Sequence, residues 1–156
     1  MAKKQQSGDS SIAQNKKARF DYFIEDRIEG GLALQGWEVK SMRAGKAQLT
    51  DSYVILREGE AWLLNSHVTP LNTVSTHYVA EPKRVRKVLL NRREIDRLTG
   101  LVERKGYTLV ALELYWSKNH VKVAVGLAKG KKQHDKRASE KDRDWQRDKA
   151  QALKAR

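Results

Sequence analysis

Lys40, Ser41, Arg43 and Lys46 lie within one short stretch, beside Gly36 and Gly45. A short cationic helix flanked by glycines lets a polyanion backbone come close and offers amide donors near its start, which is chemistry for holding phosphate. Glu38 sits among these cations. A carboxylate in a phosphate site repels the ligand, so it must either order the Lys and Arg around it or accept from a base amine or a ribose hydroxyl. Trp37, the neighbouring aromatic, reads as a core plug ahead of a stacking platform, because large aromatics dominate cores.

Two further basic groups have the same character. Lys83, Arg84, Arg86, Lys87, Arg92 and Arg93 cluster together, and Arg84 and Arg86 share a strand face if the segment is extended. Such clustering is either a nucleic-acid footprint or a solvated face partly neutralised by Glu94 and Asp96. Residues 126–156 carry eleven Lys/Arg against five Asp/Glu, +6 of the chain's +13. This stretch has few core formers and cannot bury enough apolar area to offset its ordering entropy, so it is expected to be mobile until a partner holds it. Ala138, Trp145 and Ala152 recur at intervals of seven with Leu153 adjacent. A helix of this length is marginal alone, so the expectation is coil when free and helix when bound, with Trp145 and Leu153 on or near the contacting face.

Bond-making chemistry finds no foothold. The chain has no Cys, and neither an HExxH pattern nor a phosphate-loop pattern occurs. His67, His77, His120 and His134 lack ligand spacing, and no Ser sits on a nucleophile elbow. The reading is a protein that is not an enzyme, with no metal and no cofactor.

The elements that must position the cations fit in one domain, since the chain has 156 residues and a basic tail that adds no core. The charge is uneven. Residues 1–19 and 81–97 carry +4 each, whereas residues 20–80 sum to −3. Basic blocks on a near-neutral body read as contact surfaces. The absence of Cys suits a reducing compartment, and no apolar run suggests a secretion signal or a membrane span.

Residues 1–14 read as a flexible arm. From 20 to 34 the pattern is one long strand, with Tyr22, Ile24 and Ile28 on one face and the Gly30-Gly31 pair permitting a bulge or bend. A short helix fits between Gly36 and Gly45. Strands follow at 51–57 and 60–67, joined around Gly59. Asn91 with Glu94 is a capping box for a helix with Ile95, Leu98 and Leu101/Val102 as its stripe, ended by Gly106. Strands at 108–116 and 120–127 close the series. Five or six short strands and one substantial helix predict a mainly β fold with helices, a small, partly open barrel. A split α+β sheet with one helical layer is the alternative.

At this point a family resemblance is specific. GLALQGWEVKS at 31–41, RAGKA at 43–47, SYV at 52–54 and AKGKKQHDKR at 128–137 resemble SmpB, the small-protein family of bacterial trans-translation. Asn15-Lys16-Lys17-Ala18-Arg19, LLNRREI at 89–95, KGYTLVALELYW at 105–116 and VKVAVGLAKGKK at 121–132 continue the likeness, which spans residues 12–156 in order.

The resemblance implies an oligonucleotide-binding (OB-like) β-barrel with packed helices over residues 15–130 and a flexible basic C-terminal tail over 131–156. It implies cytoplasmic work: binding the tRNA-like end of tmRNA (SsrA RNA) and delivering it, alanylated, with elongation factor EF-Tu and GTP to stalled ribosomes. The tail would lie against small-subunit ribosomal RNA in the empty mRNA channel, replacing codon–anticodon pairing. RNA-binding residues carried over on this basis, together with the clusters above, are Asn15, Lys16, Lys17, Gln35, Gly36, Glu38, Lys40, Ser41, Arg43, Gly45, Lys46, Arg84 and Arg86. Decoding-centre and channel contacts are Gly130, Lys131, Lys132, Gln133, His134, Asp135, Lys136 and Arg137, with Trp145 and Leu153 beyond them. His134 stands where others have Tyr, so stacking carries over and phenol-specific contacts do not. Ala111 stands where many members have Pro, leaving the strand geometry freer there. Without these motifs, a generic RNA chaperone or ribosomal protein would fit the same composition.

Overall fold

Two long hairpin strands organise the chain. Strand β8 (Thr108–Ser117) and strand β9 (His120–Gly130) pair antiparallel across the two-residue turn at Lys118 and Asn119, both at positive φ (50° and 68°). The structure, a computed structural model, describes residues 10–71 and 80–130. The other elements in order are β1 (Ser11–Gln14), α1 (Lys16–Asp21), β2 (Tyr22–Leu32), α2 (Gly36–Arg43), β3 (Ala47–Gln48), β4 (Tyr53–Arg57), β5 (Glu60–Leu64), β6 (His67–Val68), β7 (Arg86–Leu89) and α3 (Arg92–Lys105). The fold is mixed α/β with a β-sheet core and helices packed on it.

The main sheet has the order β1-β8-β4-β5-β7-β2-β9, and β9 pairs again with β8. The pairings therefore run in a circuit from β8 through β4, β5, β7, β2 and β9 back to β8, with β1 attached outside it. β3 and β6 form a separate two-stranded ribbon.

Bulges divide the apolar residues between two clusters. The register of β2 against β9 slips between Ile24 and Asp26. Ile24 consequently packs with Tyr22 on a small cluster of Ala18, Val110, Leu112, Tyr115, Ala124 and Ala128, whereas Ile28 joins the main core. The sequence reading put Tyr22, Ile24 and Ile28 on one face and a bulge at Gly30-Gly31; the extra residue lies earlier, and it swaps the faces. Gly30 serves close approach instead: a Cβ there would stand 2.9 Å from both Val88 and Leu90 side-chain atoms of the β7 region.

The amino-terminal boundary is also corrected. Residues 11–14 are not part of a loose arm, because β1 pairs with β8. Residues 16–21 form a helix, so the strand read from residue 20 begins at Tyr22 instead. Asn15 sets both: its Oδ1 accepts from the Ala18 N–H at 3.1 Å, and its Nδ2 donates to the Ala111 carbonyl at 2.9 Å. The strand at 86–89, read ambiguously from sequence, fills the place between β5 and β2.

Helix α3 forms as its local signals require. The Asn91 Oδ1 accepts from the Glu94 N–H at 2.8 Å, and Gly106 ends the helix at φ 72°. Its buried residues are Ile95 and Leu98, with Leu98 fully enclosed in the main core. Leu98→Ala should cost about 2–5 kcal/mol, the range for a buried Leu whose cavity cannot fully collapse. A urea titration measures this, and a loss under about 1 kcal/mol would show that α3 is not seated as described. No described helix is long and apolar enough to cross a membrane.

Candidate nucleic-acid interface

Helix α2 begins after Gln35, which is extended (φ −85°, ψ 160°). Trp37 is buried, and its indole N–H donates to the Gln35 side-chain oxygen at 2.7 Å. The Glu38 carboxylate turns back to accept the Gln35 backbone N–H at 2.7 Å, satisfying an amide that the helix start leaves unpaired. At the other end Gly45, at φ 72°, turns the chain away.

Glu38 is the centre of a buried charge cluster. Arg84 donates from Nη2 and Nε to its two oxygens at 2.6 and 3.0 Å, and Arg86 donates from Nε at 2.8 Å. Arg86 spends its other donors on the Ser66 hydroxyl (2.9 Å) and on the Arg84 and Pro82 carbonyls (3.0 and 3.1 Å). Both Glu38 and Arg86 are fully buried. Burial would raise the Glu38 carboxyl, but the hydrogen bonds from Arg84 and from the Gln35 N–H, with the charges of Arg86 and Arg84, outweigh it and hold the carboxyl below its ordinary value. Burial also lowers the Arg86 guanidinium, against the upward pull of Glu38.

This geometry corrects several sequence-derived site residues. Arg86 cannot reach a phosphate, because its donors are committed inside the protein. Glu38 takes the ordering role and presents no oxygen to a base. Ser41 is fully buried, and Asn15 is 3% exposed with its side chain used by the backbone. Arg84 is half-buried, with Nε and Nη2 bound to Glu38 and Nη1 to the Val85 carbonyl at 3.3 Å. The alternation of Arg84 and Arg86 signals an internal clamp between α2 and β7. Trp37 is a core residue, as its size suggests.

Lys16, Lys17, Gln35, Gly36, Lys40, Arg43, Gly45 and Lys46 are exposed. Lys17 is shared between Asp21 and Asp51, each at 3.1 Å, and their hydrogen bonds raise its pKa. Lys40, Arg43 and Lys46 make no ion pair with any described residue. Lys40 and Arg43, three positions apart, share one helix face. Gly130, the last described residue, is exposed and pairs with Tyr22. The channel contacts read from sequence at Lys131 through Arg137, and at Trp145 and Leu153, lie outside the described residues.

The fold also brings in residues that sequence reading passed over. Arg43 stands over the Trp116 ring of β8, its guanidinium carbon 5.9 Å from the centroid. Lys129 stands 4.9 Å over Tyr107. Neither pairing has a local signal, since each joins residues far apart in the chain.

Comparison with known proteins bears on the same surface. The family model for SmpB protein matches residues 12–155. An SsrA-binding protein of Chromohalobacter salexigens is 61% identical over 156 residues, covering 99% of each chain. One from Azotobacter vinelandii is 59% identical over 155 residues, covering 99% of this chain and 97% of its own. A solved structure described as "tmRNA-SmpB: a journey to the center of the bacterial ribosome" superposes with TM-score 0.63 at 45% identity, over 77% of this chain and 84% of that one.

Proposed function

The chain belongs to the SmpB family, and from that membership we propose that it binds SsrA RNA (tmRNA) and acts with it in trans-translation on the ribosome, without catalysing a reaction. The observation that carries the reading is that Lys40, Arg43 and Lys46, on and after α2, are exposed and make no ion pair with any described residue, in a chain 61% identical to an SsrA-binding protein. The buried Glu38 cluster holds the base of that helix, so its cations are presented from a fixed platform.

The finer parts of the proposal follow from the resemblance. The circuit of pairings is an oligonucleotide-binding barrel, and the RNA-binding body runs through residue 130 with β1 included. Lys16, Lys17, Gln35, Gly36 and Gly45 complete the contact surface, with amides and cations for the tRNA-like end. The alanylated RNA arrives with EF-Tu and GTP, in the cytoplasm. Residues 131–156 then enter the vacant mRNA channel against small-subunit ribosomal RNA, with Lys131, Lys132, Lys136 and Arg137 on phosphates and His134 on a base.

Lys40→Ala with Arg43→Ala tests the body. The pair should weaken binding of the tRNA-like RNA and leave thermal unfolding nearly unchanged, since both side chains are exposed. Losing phosphate contacts should also shallow the dependence of log K on log salt by about 0.7–0.9 per contact. Affinities at several salt concentrations supply both numbers. Unchanged affinity removes this row from the interface, and a matching fall in melting temperature reassigns it to the fold.

A further inference from the structure

Trp37 is the tryptophan closest in sequence to the α2 cations, and it is buried at 3% exposure. The tryptophan that the fold places against one of those cations, Arg43, is Trp116, near the end of β8. It is half-buried at the margin of the main core, and its backbone N–H donates to the Ser10 carbonyl at 2.8 Å, so the ring rests on a paired strand. Arg43 lies 5.9 Å above the ring centroid and has no described carboxylate partner. Beyond Trp116 the hairpin turns at once: Ser117 pairs with His120, and Lys118, Asn119 and His120 are all exposed.

A guanidinium held on an indole keeps its full charge and has fewer orientations to lose when a planar partner arrives. Carboxylates are the usual structural partners of arginine, and an arginine that has none among the described residues but lies over a ring, within three chain positions of Lys40 and Lys46, favours an anionic ligand that also has flat faces. An unpaired nucleotide is such a ligand: bases stack on aromatic rings and on guanidinium planes, while neighbouring lysines take the phosphates. We propose that Trp116 and Arg43 form one stacking unit for an unpaired nucleobase of the bound RNA. This rests on the RNA-binding reading above and adds to it a base contact, where the cation row alone would hold only phosphate.

The alternative is that the pair merely latches α2 to β8. The experiment uses the full chain with all four tryptophans replaced by 5-fluorotryptophan, their resonances assigned by single Trp→Phe changes. It is titrated with a transcript of the tRNA-like domain of SsrA RNA. The Trp116 resonance should move on binding while that of Trp37 stays in place. Trp116→Leu should weaken the complex about ten-fold or more, the scale of one lost base stack, whereas Trp116→Phe keeps most of the affinity. Arg43→Lys, which keeps the charge and loses the plane, should fall between them. Bound RNA with an unmoved Trp116 resonance overturns the stacking unit and leaves the RNA-binding reading intact. The fluorine titration keeps an indole at position 116, so this holds even if Trp116→Leu misfolds. Failure of the native chain to bind the transcript overturns both.

Discussion

Glu38→Ala is expected to cost about 3–5 kcal/mol of folding stability, the range for removing one partner from a buried ion cluster. The reason is what it leaves behind: Arg86, with no exposed side-chain surface, and Arg84, 29% exposed, would face each other without a counter-charge. The α2 start would lose its bond to the Gln35 N–H as well. Arg84 can turn toward solvent and Arg86 cannot, so adding Arg86→Met should restore part of the loss. Urea unfolding of the single and double variants measures both effects. A Glu38→Ala protein with native stability and reduced RNA affinity would show instead that the carboxylate serves the ligand.

The same cluster sets an acid limit. The folded Glu38 carboxyl lies below its ordinary value of 4.5, so its contribution is complete above the unfolded value and is lost as pH falls through the folded one. Stability of the native chain should therefore fall below pH 4.5 more steeply than that of Glu38→Gln, which has no such proton to take up. Equal slopes would place the acid sensitivity elsewhere.

Cutting the chain after Gly130 should separate binding from function. The cut removes ten Lys/Arg and five Asp/Glu beyond the end of β9 and leaves every described residue of both apolar clusters in place. The shortened protein should fold and keep tRNA-like RNA binding with a modest electrostatic loss, and should still enter the complex with EF-Tu and GTP. Under the proposed role, alanine transfer to a stalled chain should drop close to the level without protein, because nothing then fills the channel. His134→Ala should reproduce part of the defect through lost stacking. Lys131→Glu with Lys132→Glu should reproduce more, through repulsion of phosphate. Single-turnover transfer on ribosomes lacking an A-site codon, over a titration of the truncated protein at two salt concentrations, decides it. Full recovery at saturation would reduce the tail to an electrostatic handle.

What the sequence determined by itself is what short range controls. Helix α3 was legible because its cap, its stripe and its terminating Gly106 all act within a few positions of one another. The hairpin turn around Gly59 and the break between the strands at 108–116 and 120–127 were legible for the same reason, and so was the basic character of the α2 segment. Family membership was legible too, since whole motifs recur in order. Helix α1 was not: six residues cannot hold a helix in isolation, and its cap works only because Asn15 also reaches Ala111 on a distant strand. The slip in β2 needed its partner β9, because a register exists only between strands.

Tertiary structure alone decided which charges are available. Arg84, Arg86, Lys40 and Arg43 look equivalent as letters in a basic sequence. Folding commits the first two to Glu38, whose carboxylate offsets the cost of taking a guanidinium out of water, and leaves the second pair outside. It likewise exchanged one tryptophan for another, burying Trp37 and setting Trp116 under Arg43. Desolvation and pairing depend on every neighbour in space, and those neighbours come from strands and helices that the local sequence does not contain.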